Sequence, residues 1–278
     1  MGQVLGLIAG GGLLPVTVAR GARQGGCKVI CVGLVDALHP ALAENVDVLY
    51  RVSVARPGSW LRRFKRHGVR QAVIAGLVEK SGLLVPWRIV RYLPDWRMFR
   101  IYYWRLRKTD KQTDTILRAL ADELASGGVE LIDSTRYCKD SLAKNGNLTS
   151  HRPPSQSDIE FGWQMAKRIG ELDIGQAVTV KEQQVIAVEA MEGTAEMIKR
   201  TGQICKAKGW TLVKTAKPNQ DMRFDVPCVG PDTIRQMAAN GGACLVIEAG
   251  KTIILQMEQT LQLADRFGIA VVGMSRKG

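Results

Sequence analysis

The chain has 278 residues, 46% of them hydrophobic, and a formal net charge of +13. This length favours two domains, each with its own core. No stretch approaches the roughly 20 apolar residues of a membrane-spanning helix, and the first apolar run ends too early for a signal peptide. The six cysteines form no CxxC pair and lie mostly in apolar runs, which indicates core positions in a reduced, cytoplasmic protein.

The first half of the chain predicts strands and helices in alternation. Apolar runs of strand length separate segments of helical periodicity. The predicted strands are residues 4–10, 28–34, 46–54, 71–78 and 129–134, and the predicted helices are residues 13–24, 59–67 and 114–126. This order predicts a parallel sheet in a Rossmann-like N-terminal domain of residues 1–134, with ligands at the carboxyl ends of the strands.

A glycine loop follows the first predicted strand. Gly10, Gly11 and Gly12 lie just before the first predicted helix, and Pro15 stands where a dinucleotide-binding fingerprint would have its third glycine. Backbone N–H groups in such a loop can bind phosphate or a hydroxyl group. We therefore expect a ligand-binding loop rather than an NAD or FAD site.

The positive charge is concentrated in residues 51–111, which hold sixteen Lys and Arg against three acidic residues. Within 86–108, Trp and Tyr are mixed with Arg, a composition that suits anionic lipid headgroups. A nucleic-acid surface and an ordinary basic helix that packs through its aromatic side chains are the alternatives. We expect peripheral contact with a membrane surface and no nucleic-acid partner.

A different pattern follows residues 135–160, whose Gly, Ser, Asn and Pro content predicts a linker or long loop. Residues 161–278 predict a distinct α/β C-terminal domain with a mixed sheet. Within it, residues 179–200 and 245–266 both have the pattern of strand, tight turn, strand and helix, which suggests a weak internal duplication.

The segment KPNQDMRFDVPCVGPDTI, residues 217–234, alternates charged and apolar side chains. The alternation predicts a half-buried strand over 221–226 with Asp221, Arg223 and Asp225 on one face. A solvated surface strand is the alternative. Pro231 then begins a predicted helix that ends at Asn240.

Signatures of zinc proteases, serine hydrolases and P-loop enzymes are missing from the sequence. If the protein is an enzyme, its chemistry must therefore come from carboxylates, lysines and arginines, with or without a metal. Carboxylates at strand ends suit Mg²⁺, and neighbouring Lys or Arg would neutralise phosphoryl charge. The candidates of this kind are Asp221, Asp225, Glu189, Glu192, Lys214, Lys217 and Arg223.

Four segments together resemble the bacterial UDP-2,3-diacylglucosamine pyrophosphatases of the LpxI type. They are GLIAGGGLLP, LDIGQAVTV, VIAVEAMEGT and LVKTAKPNQDMRFDVPCVGPDTI, and the resemblance runs from residue 4 to about residue 273. It implies two α/β domains with the lipid-linked substrate held between them. It also implies hydrolysis of UDP-2,3-diacylglucosamine to UMP and 2,3-diacylglucosamine 1-phosphate, with a divalent cation, in lipid A biosynthesis.

The resemblance places the essential aspartate of the family at Asp225, as a metal ligand or as the base that orients water. Asp221 and Glu189 or Glu192 would assist with Mg²⁺ or another divalent cation, and Arg223 and Lys214 would hold the diphosphate. The expected substrate-binding residues are Gly10, Gly11, Gly12, Asp114, Gln176, Gly193, Thr194, Lys217 and Gln220.

Two positions depart from the family pattern, because Thr113 and Ala195 stand where the family has acidic residues. The competing function is therefore a non-catalytic protein that binds a nucleotide sugar or an anionic lipid on the same scaffold. The expected location is the cytoplasm, with peripheral attachment to the inner face of the cytoplasmic membrane, and a homo-oligomer is left open.

Overall fold

A computed structural model describes residues 2–34, 38–76, 94–101, 113–218 and 220–275. Its contacts form two compact units. Unit 1 consists of Met1–Cys138 and Asp221–Asp225, and unit 2 consists of Lys139–Gln220 and Val226–Gly278. Both units are α/β, which confirms the predicted fold class. The short segment Asp221–Asp225 belongs to unit 1 by its contacts, although the predicted C-terminal domain includes it by sequence.

Unit 1 is built on a five-stranded sheet in the order β3-β2-β1-β4-β5, with every neighbouring pair parallel. The strands are β1 Val4–Ala9, β2 Lys28–Gly33, β3 Val48–Arg51, β4 Gln71–Ala75 and β5 Glu130–Leu131. The five predicted strands are therefore confirmed, with shorter ends. This strand order reverses between β1 and β4, and a doubly wound sheet has its ligand crevice at the carboxyl ends at such a point.

The described α-helices of unit 1 are α1 Leu14–Gln24, α2 Pro57–Arg66, α3 Trp96–Arg100 and α4 Thr113–Ser126. Helix α2 begins with proline and buries Trp60, Leu61 and Phe64 against the sheet. Its basic residues occupy the other face, because a helix with one apolar stripe turns that stripe to the core. None of the described helices has the length and apolar character needed to cross a bilayer.

Unit 2 is built on a mixed six-stranded sheet in the order β6-β13-β11-β9-β7-β8. Strands β9, β11 and β13 are parallel, β7 is antiparallel to β9, and β8 is antiparallel to β7. The strands are β6 Gly146–Asn147, β7 Ala177–Lys181, β8 Gln184–Val188, β9 Trp210–Lys214, β11 Gly242–Glu248 and β13 Ala270–Met274. The helices are α5 Gln156–Glu171, α6 Gly193–Ile204, α7 Pro231–Asn240 and α8 Met257–Arg266.

The two segments of the suggested duplication differ in strand pairing. Residues 179–200 contain the predicted hairpin, β7 with β8, followed by α6. In residues 245–266, β12 Ile253–Ile254 pairs in parallel with β10 Cys228–Val229 instead of with β11. The second predicted hairpin is wrong because the N–H group of Ile253 donates to the carbonyl of Pro227 at 2.8 Å, which draws the chain away from β11.

The predicted linker at residues 135–160 contains ordered elements. Two 3₁₀ helices, Ser134–Tyr137 and Lys139–Ser141, begin the segment, and β6 adds an antiparallel strand beside β13. Helix α5 starts within the last part of the segment, where the Ser155 side chain accepts a hydrogen bond from the Asp158 N–H at 3.1 Å. A serine three residues before an acidic residue is the usual pattern for such a helix start.

A buried carboxylate fixes α3 to α4 in unit 1. Glu123 has no solvent exposure, and it accepts hydrogen bonds from Arg97 and from Arg100, whose Nε lies 3.1 Å from Oε2. Burial opposes ionisation of Glu123, but the two guanidinium groups outweigh it and hold its pKa below the ordinary value. A buried charge paired in this way becomes costly as soon as one partner is lost.

We expect Glu123→Gln to destabilise the protein by about 1–2 kcal/mol at neutral pH, because two charge-assisted hydrogen bonds to partly exposed arginines are weakened. A lowered folded-state pKa contributes stability above the unfolded pKa and loses it as pH falls through the folded value. The difference between wild type and variant should therefore shrink in acid. Urea unfolding across pH measures this difference in free energy of unfolding, with the exposed Glu130→Gln as control. A difference that is independent of pH would contradict the ionic role of Glu123.

Candidate functional site

The glycine loop lies at the carboxyl end of β1, where the strand order of unit 1 reverses. The Gly10 N–H donates to the Ala75 carbonyl at the end of β4, at 2.8 Å. Gly76 has φ +92°, and a Cβ there would lie 2.6 Å from the Gly11 oxygen and 2.8 Å from Pro15 Cγ. Only glycine fits this approach. The three predicted glycines therefore lie just before α1, and Gly12 is exposed. The N-terminal end of a helix favours an anion.

The DMRFD segment is a turn, so the predicted strand over 221–226 is wrong. The carbonyl of Asp221 accepts from the N–H groups of Phe224 at 3.0 Å and Asp225 at 3.3 Å. The Asp221 carboxylate accepts from the Arg223 N–H at 3.1 Å and from its Nη2 at 2.6 Å. An aspartate that bonds the backbone two residues ahead offers the chain a local alternative to a strand ladder.

The turn is held on unit 1 by packing and by charge. Phe224 packs against the core of unit 1, and the Arg223 guanidinium lies over its ring, 5.0 Å from the centroid. Hydrogen bonding from Arg223 lowers the pKa of Asp221, with a smaller contribution from Arg118 on α4. Asp225 is the exposed residue of the segment.

In unit 2, three predicted site residues form a chain of hydrogen bonds at the carboxyl edge of the sheet. The Lys214 ammonium, at the end of β9, donates to the Thr194 hydroxyl at 2.8 Å. That hydroxyl donates to Glu189 Oε1 just beyond the end of β8. Glu189 and Lys214 are each only 7% exposed. Because Thr194 lies in the first turn of α6, a cation, a carboxylate and a helix N-terminus meet here.

A second polar group surrounds the start of β7. Gln220 donates from Nε2 to Gln176 Oε1 at 3.5 Å and accepts from the Lys217 N–H at 2.7 Å. The Lys217 ammonium pairs with Asp173. A Cβ on Gly175 would lie 1.9 Å from the Glu189 carbonyl oxygen, so this loop lies directly against the loop that carries the carboxylate.

Glu192 and Asp114 are the remaining predicted carboxylates. Glu192 is exposed and pairs with Arg200 on α6, so it does not join Glu189. Asp114 lies in the first turn of α4, but its side chain lies outside the described residues. Ala195, which stands where the family has an acidic residue, is exposed, and the neighbouring Glu196 is exposed and lies 3.8 Å from Lys199.

The predicted metal ligands form no three-residue cluster within the described part of either unit. Among the described residues, no three His, Cys, Asp or Glu side chains lie close enough to hold a cation. In unit 1, Asp221 is paired with Arg223, and Asp225 is the exposed residue of the same turn. In unit 2, Glu189 lies next to the Thr194 hydroxyl group, which accepts a hydrogen bond from Lys214. A ready-made cage of protein carboxylates is therefore not present in either unit's described part.

Sequence reasoning overlooked Glu248 at the end of β11. It is 4% exposed and accepts from the Ala216 N–H at 2.8 Å and from the Lys167 ammonium at 2.5 Å. Burial opposes its ionisation, but the lysine hydrogen bonds lower its pKa. The signal was present, because a glutamate that closes a buried strand run such as CLVIE must find partners. Glu248 fixes the backbone just after Lys214.

Comparison with known proteins matches both parts of the chain to one family. The model of the LpxI N-terminal domain matches residues 4–141, and the model of the LpxI C-terminal domain matches residues 144–272. The chain belongs to the LpxI family. A relative in Caulobacter vibrioides, named UDP-2,3-diacylglucosamine pyrophosphatase LpxI, is 30% identical over 97% of both chains.

A comparison of folds adds no further argument. Phosphoribosylglycinamide synthetase from Anaerococcus prevotii is 10% identical to this LpxI-family chain, with 75% of this chain and 44% of that chain covered, at a TM-score of 0.28. A similarity at that level does not establish a shared fold. The family assignment rests on the two domain matches and the full-length relative.

We expect Arg223→Gln to raise the pKa of Asp221 toward the ordinary value of about 3.9, because the charge-assisted hydrogen bonds that favour the carboxylate are lost. Carboxyl-carbon NMR titration of aspartate-labelled protein measures the shift. The control is Arg235→Gln, which breaks the exposed pair with Asp232 on α7 and should leave Asp221 unchanged. An unaltered Asp221 titration in Arg223→Gln would refute the local ion pair.

Proposed function

We propose that this protein hydrolyses the diphosphate of UDP-2,3-diacylglucosamine to UMP and 2,3-diacylglucosamine 1-phosphate in lipid A biosynthesis. The observation that carries the proposal is membership of the LpxI family over both domains, including the QDMRFDVP segment. The relative in Caulobacter vibrioides is named for this substrate. The reaction class is hydrolysis of a phosphoric anhydride by attack of water.

Asp225 is the proposed base or ligand at the reacting centre. Its exposure on a turn that Asp221, Arg223 and Phe224 hold rigid favours such a role, because a catalytic group must be fixed by its surroundings. Arg223 has five N–H donors, and its Nε and Nη2 donate to Asp221. Its other N–H groups could donate to phosphate oxygens. Lys214 would neutralise phosphate charge, as a compact ammonium group does.

A divalent cation, Mg²⁺ or another, would withdraw negative charge from the diphosphate oxygens when bound. Mg²⁺ usually takes one or two carboxylates and fills its other positions with water and substrate phosphate. Asp225 fits that arrangement as a single protein ligand. The described residues do not support a larger set that includes Glu192, since Arg200 engages it.

We expect Asp225→Ala to lower turnover by at least about 100-fold, because a positioned acid–base or charge-stabilising group is lost. Purified protein is incubated with UDP-2,3-diacylglucosamine, with Mg²⁺ or Mn²⁺ and with a chelator, and UMP is measured. The matched control is Asp232→Ala, an exposed aspartate in the first turn of α7. Retained turnover in Asp225→Ala would refute its role. Substrate binding without UMP release by the wild type would favour the non-catalytic alternative.

We also propose peripheral attachment to an anionic membrane surface, since the substrate carries two acyl chains. Of the basic, aromatic segment 86–108, residues 94–101 are described. Trp96 is 70% and Phe99 39% exposed, with their rings stacked at 5.4 Å. The helix is held in place through Glu123, and α2 beside it exposes Arg62, Lys65 and Arg66. Exposed rings beside cations suit the boundary between headgroups and acyl chains.

We expect Trp96→Ser to weaken binding to anionic vesicles by about tenfold, because burial of a large apolar side chain contributes on the order of 1.5–3 kcal/mol. Flotation with phosphatidylcholine vesicles, with and without phosphatidylglycerol, measures the binding. Phe267→Ser removes an exposed aromatic ring from unit 2 and serves as control. Equal binding to both kinds of vesicle would contradict the electrostatic part of the proposal.

A further inference from the structure

We propose that Glu189 binds a hydroxyl group of a phosphorylated sugar at the N-terminal end of α6, rather than a metal ion. The inference rests on the proposed function in one respect, which is that a sugar phosphate is part of the substrate. The site consists of Glu189, Thr194, Lys214 and the first turn of α6, all within unit 2. We call it the α6 subsite.

The starting observation is an unsatisfied oxygen. Glu189 Oε1 accepts from Thr194, whereas Oε2 is buried and has no hydrogen-bond partner within the described ranges. Among the described residues, the other buried carboxylates have a donor on each oxygen. Glu123 and Glu248 have cations on both oxygens, and Asp158 accepts a backbone N–H on each. A buried carboxylate oxygen without a donor is costly. A ligand that brings an O–H or N–H group would therefore be favoured at Oε2.

The surroundings supply donors for an anion. Lys214 has three N–H bonds and one of them is directed at Thr194. Helix α6 has 12 residues, and its first N–H groups and positive end favour negative charge. An acceptor for a hydroxyl group therefore lies beside donors for a phosphate oxygen, and a phosphorylated sugar carries both groups close together.

A metal at Glu189 is less well supported. The described residues place no second and third carboxylate, imidazole or thiolate around it. The Thr194 hydroxyl that donates to Glu189 also accepts from the Lys214 ammonium, and positive charge at that position disfavours a cation. The same geometry suits a neutral hydroxyl donor.

Two parts of the substrate offer this chemistry, the ribose of the UMP half and the hexose of the glucosamine half. Calorimetric titration of the full chain with UMP and with glucosamine 1-phosphate distinguishes them. We expect Glu189→Gln to weaken one ligand about 10- to 100-fold, the loss expected for a hydrogen bond to a charged group, and to leave the other unchanged. The matched control is Glu182→Gln, an exposed glutamate at the turn of the same β7–β8 hairpin.

A second experiment tests whether a sugar hydroxyl group is the partner of Oε2. The ligand whose affinity falls is replaced by its deoxy analogue, for example 2′-deoxy-UMP or 3′-deoxy-UMP for the ribose. Wild type and Glu189→Gln should then bind the appropriate analogue equally, because the partner of Oε2 is missing. Glu189→Asp keeps the charge but moves the carboxylate away from the ligand, so it should weaken binding as Glu189→Gln does. It replaces Glu189→Gln if a thermal melt shows that the amide variant does not fold.

The outcomes separate this inference from the proposed reaction. Unchanged affinity of both ligands in both variants would overturn it and would mean that Oε2 binds only structural water. Failure of the wild type to bind either ligand, while it releases UMP from the full substrate, would also overturn it and leave the reaction standing. Ligand binding that depends on Glu189 without any hydrolysis would support the subsite and reject the reaction.

Discussion

Shared strand direction brings the candidate site residues together within each unit. In unit 1, β1 and β4 run side by side in the same direction, so the loops that follow them meet, and Gly76 lies against the glycine loop. In unit 2, β8 and β9 flank the antiparallel β7 and therefore share a direction. Their carboxyl ends lie at one edge of the sheet, which brings Glu189 and Lys214 to the same hydroxyl group.

Buried carboxylates have different roles in this protein according to their partners. Glu123 and Glu248 are each surrounded by cations and fix one element to another, so their oxygens have donors within their own unit. Glu189 is also buried, at 7% exposure, but only its Oε1 has a donor among the described residues. An unsatisfied buried charge lowers stability, so the structure gives Glu189 no folding role comparable to that of Glu123 or Glu248.

The regular elements could be predicted from the sequence because their signals are local. Alternating apolar runs and helical segments in the first half predict the parallel sheet. Helix α7 begins at Gly230–Pro231 and ends at the left-handed Gly241, as expected. Periodicity fails where hydrogen bonds within a few residues compete with pairing. DMRFD has the alternation of a strand, yet the Asp221 side chain bonds the backbone and guanidinium of Arg223 and closes a turn.

Other features depend on partners distant in sequence. The pairing of β12 with β10 requires the carbonyl of Pro227, which no pattern within residues 245–266 indicates. The candidate site likewise depends in part on distant partners. The residue types at Lys214, Thr194 and Glu189 could be selected from sequence, but their connection through one hydroxyl group, and the burial of Glu189, follow from the sheet. Likewise the separate surroundings of Glu192 depend on the position of Arg200 on α6.

The assignment of Asp221–Asp225 to unit 1 has a consequence for the evolution of the chain. The sequence passes from one unit to the other three times, after Cys138, after Gln220 and after Asp225. Recombination between homologues at the boundary near residue 140 would join one protein's Phe224 to another protein's unit 1 core. The two halves are therefore expected to diverge together, with substitutions around Phe224 matched across the boundary, and they are not interchangeable modules.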